Sequence, residues 1–204
     1  EFPHCYSGFR LILLGYGRYS CGSVHAFEVN AICHAAQESR IGDTNPSKDV
    51  CLIYVVNRKY PEIEGIKTLR DIKDIPQTPD LTIISTPPSL IQGIVKSAGA
   101  RGHPAAMVLS AGLGLGTGSY TEAIAQTARK TGLRLIGPSL GVLVPRIKLN
   151  ASFASRLPQT GDLALISQSG AISTALVEWA ANRNVGFSAI VSTSENLDID
   201  FGDL

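Results

Sequence analysis

The sequence predicts an α/β protein whose first part is a parallel β-sheet with helices on both faces. Short, continuously apolar segments alternate with segments of helical periodicity, and glycine or proline residues separate them. Continuously apolar strands are buried on both faces, which is typical of a parallel sheet. Right-handed crossovers between such strands give a doubly wound, Rossmann-like domain, which we expect over about residues 1–145.

Strands and helices alternate regularly through this first domain. The predicted strands lie at residues 9–15, 49–56, 81–86, 105–112 and 133–137, and the predicted helices at 23–37, 89–102 and 119–132. Ser23 is a suitable N-cap for the first helix, and Ser119 or Thr121 for the third. Gly132 is a suitable stop for the third helix.

The same alternation restarts further along the chain. Residues 138–161 contain three prolines and no clear period, so we expect an irregular connection there. A strand at 162–167, a helix at 171–184 and a strand at 185–192 follow. One strand–helix–strand unit cannot bury both faces of a sheet. The second domain, residues 146–204, is therefore predicted to be incomplete or to pack against the first domain or a partner.

The composition argues against several classes of function. The net charge is +1 without basic clusters, so nucleic acid is not an expected partner. No apolar run reaches the roughly 18 residues of a membrane span, and the first residues lack a signal-peptide pattern. The four cysteines form no CxxC pair, so we expect neither a disulfide framework nor a metal site. Scattered thiols suit a reducing, cytoplasmic location.

A glycine-rich turn after the first strand is a candidate phosphate site. Residues 15–22 read GYGRYSCG, which differs from the GxGxxG dinucleotide fingerprint. The N–H groups of the following helix would still favour an anion. A purely structural turn is the alternative.

The ends of the next strands narrow the choice of ligand. The second strand ends in Asn57-Arg58-Lys59, which has two cations in place of the carboxylate that binds the ribose of NAD. This favours a phosphorylated ribose, as in coenzyme A or NADP, with solvated cations as the alternative. Small residues end the third and fourth strands, TPP at 86–88 and SAG at 110–112, where a flat base or a pantetheine arm would fit.

Four small or polar residues, SQSG at 167–170, join the later strand to its helix. Ser169 is a suitable N-cap, and Gly170 leaves the first N–H groups of the helix accessible. The turn is therefore a candidate anion site, with an ordinary capped helix as the alternative.

Two other patterns are better explained by structure than by chemistry. GPSLG at 137–141 matches the GxSxG motif of hydrolases, which needs a helix directly after the serine and a later histidine. Here VLVP follows, and the last histidine is His103. In the acidic tail, DIDF at 198–201 alternates, which predicts one polar and one buried face rather than a metal site.

Taken together, these stretches resemble the NDP-forming acyl-CoA synthetases, relatives of the succinyl-CoA synthetase α subunit. The similarity is strongest in RLIGPSLGVLVPRIKLNASFA, GDLALISQSGAISTALVEWAANRNVGFSAIVS and DIDFGDL, and it extends to YVVNRKYPEIEGIKTL, PDLTIISTPPS and AAMVLSAGLG. The resemblance implies a CoA-binding first domain and a flavodoxin-like second domain that helps to transfer a phosphoryl group through a phosphohistidine. The overall reaction joins an acid to CoA while ATP becomes ADP and phosphate.

The patterns and the resemblance together assign roles to individual residues. The predicted CoA-binding residues are Gly15, Gly17, Gly22, Ser23, Val24, Asn57, Lys59, Thr86, Pro87, Leu109, Ser110 and Ala111. The predicted phosphate-binding residues are Ser139, Ser167, Ser169 and Gly170. No catalytic residue is expected in this chain, because all four histidines precede the second domain. ATP, ADP and Mg²⁺ are expected only with an ATP-grasp domain or subunit, in a homo- or hetero-oligomer.

The chain also departs from the family pattern. The family usually has one more residue in the loop that reads GPSLG here, and it has Leu-Gly-Asn where Thr193-Ser194-Glu195 stand. Losing that glycine would obstruct the close approach of a phosphate. Three interpretations remain. The chain is the CoA-binding portion of an acyl-CoA synthetase, a non-catalytic acyl-CoA-sensing module of a protein lysine acetyltransferase, or an NADP-dependent Rossmann enzyme.

Overall fold

The computed structural model describes residues 10–15, 52–63, 66–139, 141–147, 149–154 and 156–204. The predicted helix at 23–37 lies outside these residues. In the described part, two sheets and three helices follow one another along the chain. The helices are α1 (Pro88–Ala100), α2 (Tyr120–Thr131) and α3 (Gly170–Ala181).

The first sheet confirms the predicted doubly wound order. Its strands are β1 (Arg10–Gly15), β2 (Leu52–Val56), β3 (Glu62–Ile63), β4 (Ile66–Leu69), β5 (Leu81–Ser85), β6 (Ala105–Val108) and β7 (Arg134–Ile136). They lie in the order β3-β4-β2-β1-β5-β6-β7, and every pair is parallel except β3 with β4. Without β3 this is the Rossmann order, which reverses between β1 and β5.

Helices α1 and α2 cover one face of this sheet. Their residues Ile91, Val95 and Ile124 share a buried cluster with Ile84 and Val108 of the strands. The predicted ends of α2 are confirmed. The Ser119 side chain accepts a hydrogen bond from Glu122 N, and Gly132 ends the helix in the left-handed conformation at φ 74°.

The second sheet overturns the prediction of an irregular connection at 138–161. Its strands are β8 (Gly141–Val144), β9 (Leu149–Ser152), β10 (Thr160–Ser167) and β11 (Phe187–Ser192), in the order β10-β11-β8-β9. Strands β10 and β11 are parallel, whereas β8 runs antiparallel to both β11 and β9. The prolines did not prevent strand formation because they flank the strands. Pro145 begins the short 3₁₀ turn Pro145–Ile147 between β8 and β9.

The β8–β9 hairpin also packs against the first sheet. Ile83, Met107 and Leu109 form a buried cluster with Ala151, and partly buried side chains of the hairpin and its flank lie against it, among them Val142, Leu149 and Phe153. In the described residues, the face of the first sheet opposite α1 and α2 is therefore covered by strands of the second. No helix in these ranges is long and apolar enough to cross a bilayer.

Candidate functional site

The carboxyl ends of the parallel strands meet at one edge of the first sheet. Leu14 lies beside Val56, and Gly15, the last residue of β1, lies beside Ser85. The segments after β2, β5 and β6 therefore lie at the edge where open α/β sheets bind ligands, on both sides of the point of reversal. Of the predicted glycine turn, only Gly15 is described. Gly17, Gly22, Ser23 and Val24 lie outside the described residues and stay predictions.

The buried side chain of Asn57 shapes the turn after β2. Its Oδ1 accepts hydrogen bonds from Lys59 N at 2.8 Å and Tyr60 N at 3.0 Å. This Asx-type turn directs the next two residues toward the surface. Asn57 therefore contributes to the edge by holding the backbone.

The two cations after Asn57 differ in their surroundings. Arg58 donates a hydrogen bond of 2.7 Å to the Asp71 carboxylate. A backbone hydrogen bond from Lys73 and then the Arg58 guanidinium hold the pKa of Asp71 below its ordinary value. Lys59 is exposed, and its ammonium lies 5.3 Å from the centre of the Tyr60 ring. Lys59 is therefore the better placed of the two for a ligand phosphate.

Thr86 and Ser110 connect the ends of β5 and β6. Ser110 Oγ donates to Thr86 O at 2.6 Å, and Leu109 N donates to Ile84 O at 2.9 Å. Thr86 is buried, and its Oγ1 has no hydrogen-bond partner in the described structure. A buried hydroxyl without a partner is uncommon and is satisfied when a ligand or water binds.

The residues around this pair leave room for an extended ligand. Ala111 and Gly112 are exposed, whereas the Leu109 side chain is buried beneath the β8–β9 hairpin. Only the backbone of Leu109 is thus left to line the edge. Pro87 is the N-cap of α1 and supplies no side-chain cap; Pro88 has no N–H group, and Leu90 N donates to Pro87 O at 3.0 Å, so this helix start offers few donors to a ligand.

The predicted SQSG turn is an N-capped helix start, as expected from the sequence. Ser169 Oγ accepts from Ile172 N at 3.3 Å. Ser167 Oγ accepts from Ser169 N at 3.0 Å and donates to Ser169 O at 3.2 Å. Both serine hydroxyls therefore already hold the turn. The remaining N–H groups at the start of α3, around Gly170, are the donors best suited to an anion.

Unpartnered buried polar atoms occur at Ser139, which follows β7, and in the turn that follows β11. Ser139 is buried, and its Oγ has no partner in the described structure; the same holds for Thr193 Oγ1 and Asn196 Oδ1. Thr193 N donates to Ser167 O at 3.0 Å, which fixes Thr193 against the turn. The sequence analysis did not single out Thr193 or Asn196 as candidate site residues, although Thr193 directly follows a strand, as the SQSG turn does.

The turn after β11 keeps the backbone conformation that a glycine would favour, so obstruction of a phosphate by the Ser194 side chain stays a prediction. Ser194 has φ 47°, the left-handed conformation that glycine adopts most easily. Asn196 N donates to Thr193 O at 3.2 Å and closes the turn. The serine therefore takes the glycine-like backbone conformation at a cost in strain.

His103 lies at the opposite edge of the first sheet from these residues. It is buried, its Nδ1 is 2.9 Å from Thr82 Oγ1, and its Nε2 has no partner in the described structure. Burial, and then the charge of Arg101, lower the pKa of His103 to about 4. In the part of the chain that the structure describes, no three His, Cys, Asp or Glu side chains are grouped so that they could hold a metal ion.

Two domain families match this chain. Residues 47–145 match the CoA-binding domain, and residues 160–204 match the succinyl-CoA ligase-like flavodoxin domain. The structure is similar to a protein from Pyrococcus horikoshii, with a TM-score of 0.81 and 25% identity over 98% of this chain and 43% of that one. It is also similar to acetyl-coenzyme A synthetase 1 of Ca. Korarchaeum cryptofilum, solved with phosphate and ADP (TM-score 0.79, 26% identity, 97% and 40% coverage).

Curated relatives support the same assignment. The ADP-forming acetate–CoA ligase of Methanocaldococcus jannaschii is 36% identical over 74% of this chain and 22% of its own length. The α subunit of ADP-forming acetate–CoA ligase I from Pyrococcus furiosus is 38% identical over 74% of this chain and 35% of its own length. The chain thus spans about a fifth to a third of these relatives. The two domain matches and these similarities show that the chain carries a CoA-binding domain and part of a succinyl-CoA ligase-like flavodoxin domain, and that over these regions it is similar to ADP-forming acetate–CoA ligases.

Proposed function

We propose that this chain binds coenzyme A as part of an ADP-forming acid–CoA ligase. The observation that carries the proposal is the composition of the carboxyl edge of the first sheet. There an exposed lysine follows β2, a threonine with a buried, unpartnered hydroxyl follows β5, and two exposed small residues follow β6, with the end of β1 between the first two. The turn directly after β2, residues 57–60, contains no carboxylate, so a ligand with a phosphorylated ribose is favoured over NAD.

The arrangement suggests how CoA would lie. Lys59 faces the phosphate of the ribose, and the glycine turn beginning at Gly15 receives the diphosphate. The pantetheine arm runs past Thr86 and Ser110, where Thr86 Oγ1 gains the hydrogen-bond partner that it otherwise lacks. The exposed Ala111 leaves the arm room to continue toward the second sheet.

The second group of residues suits a phosphate during the reaction. Ser139, Thr193 and the start of α3 at Gly170 supply hydroxyl and N–H donors without a neighbouring carboxylate in the first turn of α3. In the complete reaction, an acid and CoA are joined while ATP becomes ADP and phosphate. The phosphohistidine, the ATP-grasp unit and Mg²⁺ come from outside these residues.

Partner and location follow from the same proposal. One similar protein is named as an α subunit, which supports an ATP-grasp partner supplied either as a separate subunit or within a longer chain. Residues 1–145 act as the CoA-binding domain and 146–204 as the flavodoxin-like part, in a homo- or hetero-oligomer in the cytoplasm.

Calorimetric titration of the chain with CoA, dephospho-CoA and NADPH tests this proposal. We expect CoA to bind, dephospho-CoA to bind about tenfold more weakly because the ribose phosphate is missing, and NADPH not to compete. Binding of NADPH without CoA would refute the proposal and favour the NADP-dependent alternative.

The acyl-CoA-sensing alternative has one observation in its favour. The loop at Ser139 is shorter than in the family, and a serine stands at position 194 in place of glycine; both changes fall among the proposed phosphate-binding residues and not at the ends of β2, β5 and β6. A sensor would bind acetyl-CoA but not phosphate. The full-length gene separates the two functions: a downstream histidine with an ATP-grasp region indicates the ligase, and an acetyltransferase domain indicates the sensor.

A further inference from the structure

The segment 193–199, which we call the linking segment, contacts both sheets. At its start, Thr193 N donates to Ser167 O of the SQSG turn. At its end, Leu197 N donates to Gly137 O at 3.2 Å, and Ile199 N donates to Leu135 O at 3.0 Å. The last two of these hydrogen bonds follow an antiparallel pattern along the outer edge of β7. The linking segment therefore extends the first sheet as an irregular edge.

Leu197 inserts into the core of the first sheet. It is 3% exposed and belongs to the same buried cluster as Leu135 and Ile124. The linking segment is therefore held by apolar burial as well as by backbone hydrogen bonds. Ser139 lies two residues beyond Gly137, so the segment connects the two turns that carry the predicted phosphate-binding residues.

Asp198 completes this attachment with a charged acceptor. Its Oδ2 accepts from Arg134 Nε at 2.8 Å and from the backbone N–H of Leu135 at 3.0 Å. The Asp198 side chain is only 15% exposed. Hydrogen bonds to an ionised acceptor are stronger than neutral ones, and a partly buried pair is screened less by salt.

Asp203 provides a natural comparison. It also pairs with Arg134, at 3.1 Å, but its side chain is 39% exposed, and the backbone N–H that it accepts is that of Asp200 in its own turn. Both aspartates neutralise the same guanidinium. Only Asp198 also accepts an N–H group from the edge of the first sheet.

We propose that Asp198 is a positioning residue that holds the SQSG turn at its working distance from Ser139 by fastening the linking segment to β7. The inference rests on the proposed phosphate site. Strand β8 supplies a second connection, because it follows Ser139 and pairs with β11. Loss of Asp198 should therefore weaken phosphate binding without abolishing it.

The test compares Asp198→Asn with Asp203→Asn and Asp198→Glu, using inorganic phosphate and CoA as separate ligands in calorimetry. Asp198→Asn should weaken phosphate binding about tenfold and change CoA affinity less than twofold, which also shows that the variant is folded. Asp203→Asn should weaken neither affinity, and Asp198→Glu should recover part of the phosphate affinity because it keeps the charge.

The direction of the effect separates positioning from simple electrostatics. Removing a negative charge by itself strengthens the binding of an anion, so weaker phosphate binding identifies a loss of geometry. Unchanged or stronger phosphate binding by Asp198→Asn would overturn this inference alone. Equal weakening by Asp198→Asn and Asp203→Asn would do the same. A wild-type chain that binds CoA but no phosphate would overturn both the phosphate site and this inference.

Discussion

The assignment of the CoA phosphate to Lys59 can be tested against its neighbour Arg58. The perturbation is Lys59→Gln, which removes the exposed ammonium, with Arg58→Gln as the matched control. Arg58 forms an ion pair with Asp71 at 2.7 Å, so its guanidinium already has a partner within the protein. The two variants remove the same charge from adjacent positions, one without and one with a carboxylate partner in the described part of the protein.

The expected magnitude follows from the exposure of Lys59. Two unit charges 4 Å apart interact by about 1 kcal/mol in bulk water and about 4 kcal/mol at an effective dielectric constant near 20. Because Lys59 is exposed, we take a value near the lower limit, about 1.5 kcal/mol, which corresponds to about a tenfold loss of CoA affinity. Charge reversal by Lys59→Glu should roughly double the loss in free energy.

Calorimetry at two ionic strengths completes the assay. The effect of Lys59→Gln should shrink at high salt, since exposed charges are screened. It should also vanish for dephospho-CoA, which lacks the ribose phosphate, while Arg58→Gln changes CoA affinity less than twofold. An equal loss in both variants, or a loss for dephospho-CoA as large as for CoA, would show that Lys59 does not bind this phosphate.

Three further predictions concern stability and the second site. The low pKa of His103, about 4 against an ordinary 6.5, keeps it neutral in the folded protein while the unfolded chain takes up a proton below pH 6.5. The contribution of His103 to the free energy of unfolding is therefore fully present above pH 6.5 and is lost as the pH falls toward 4. Urea unfolding should show a free energy of unfolding that is lower by about 2.5 kcal/mol at pH 4.5 than at pH 7.5, and this difference should be absent in His103→Gln. Ser194→Gly should raise the melting temperature by about 2 °C, because glycine accepts the left-handed backbone without strain, whereas Ser194→Ala should not. Ser169→Ala should cost about 1 kcal/mol in thermal unfolding through loss of the α3 cap, and weaken phosphate binding while CoA binding persists.

The parts of the fold that the sequence predicted are those in which one local pattern decides the structure. Strands such as Ala105–Val108 are apolar throughout, and their burial on two faces requires no knowledge of their neighbours. Ser119 and Gly132 likewise act within a single helical turn. The order of the parallel strands then follows from the preferred hand of their crossovers.

The hairpin β8–β9 escaped prediction because its buried polar side chains are satisfied by hydrogen bonds to residues close by in the chain. Asn150 and Ser152 are buried, yet Ser152 Oγ donates to Asn150 Oδ1 at 2.6 Å and Asn150 Nδ2 donates to Ala154 O at 3.0 Å. This small network removes the cost of burying polar groups in a strand. A pattern based on hydrophobicity alone therefore shows no period there.

The candidate site divides in the same way. Lys59, Thr86 and Ser110 were predicted because the ends of the strands can be located in the sequence, and parallel strands end at the same edge of a sheet. The ion pair of Arg58 with Asp71 joins residues 13 positions apart in the chain, and the sequence around neither residue predicts it. Thr193 lies beside Ser167 because β11 pairs with β10, and the sequence alone does not show that pairing.

The mutual insertion of the two sheets bears on how this protein can be divided. The hairpin β8–β9 is hydrogen-bonded to β11 yet covers Ile83 and Met107 of the first sheet, and Leu197 returns to the first core from beyond β11. A cut anywhere between 137 and 160 would therefore expose apolar surface on both fragments. Modular exchange of the CoA-binding half among relatives should succeed only when the hairpin and the segment 193–199 are transferred with it, and the joined halves should melt in a single cooperative transition.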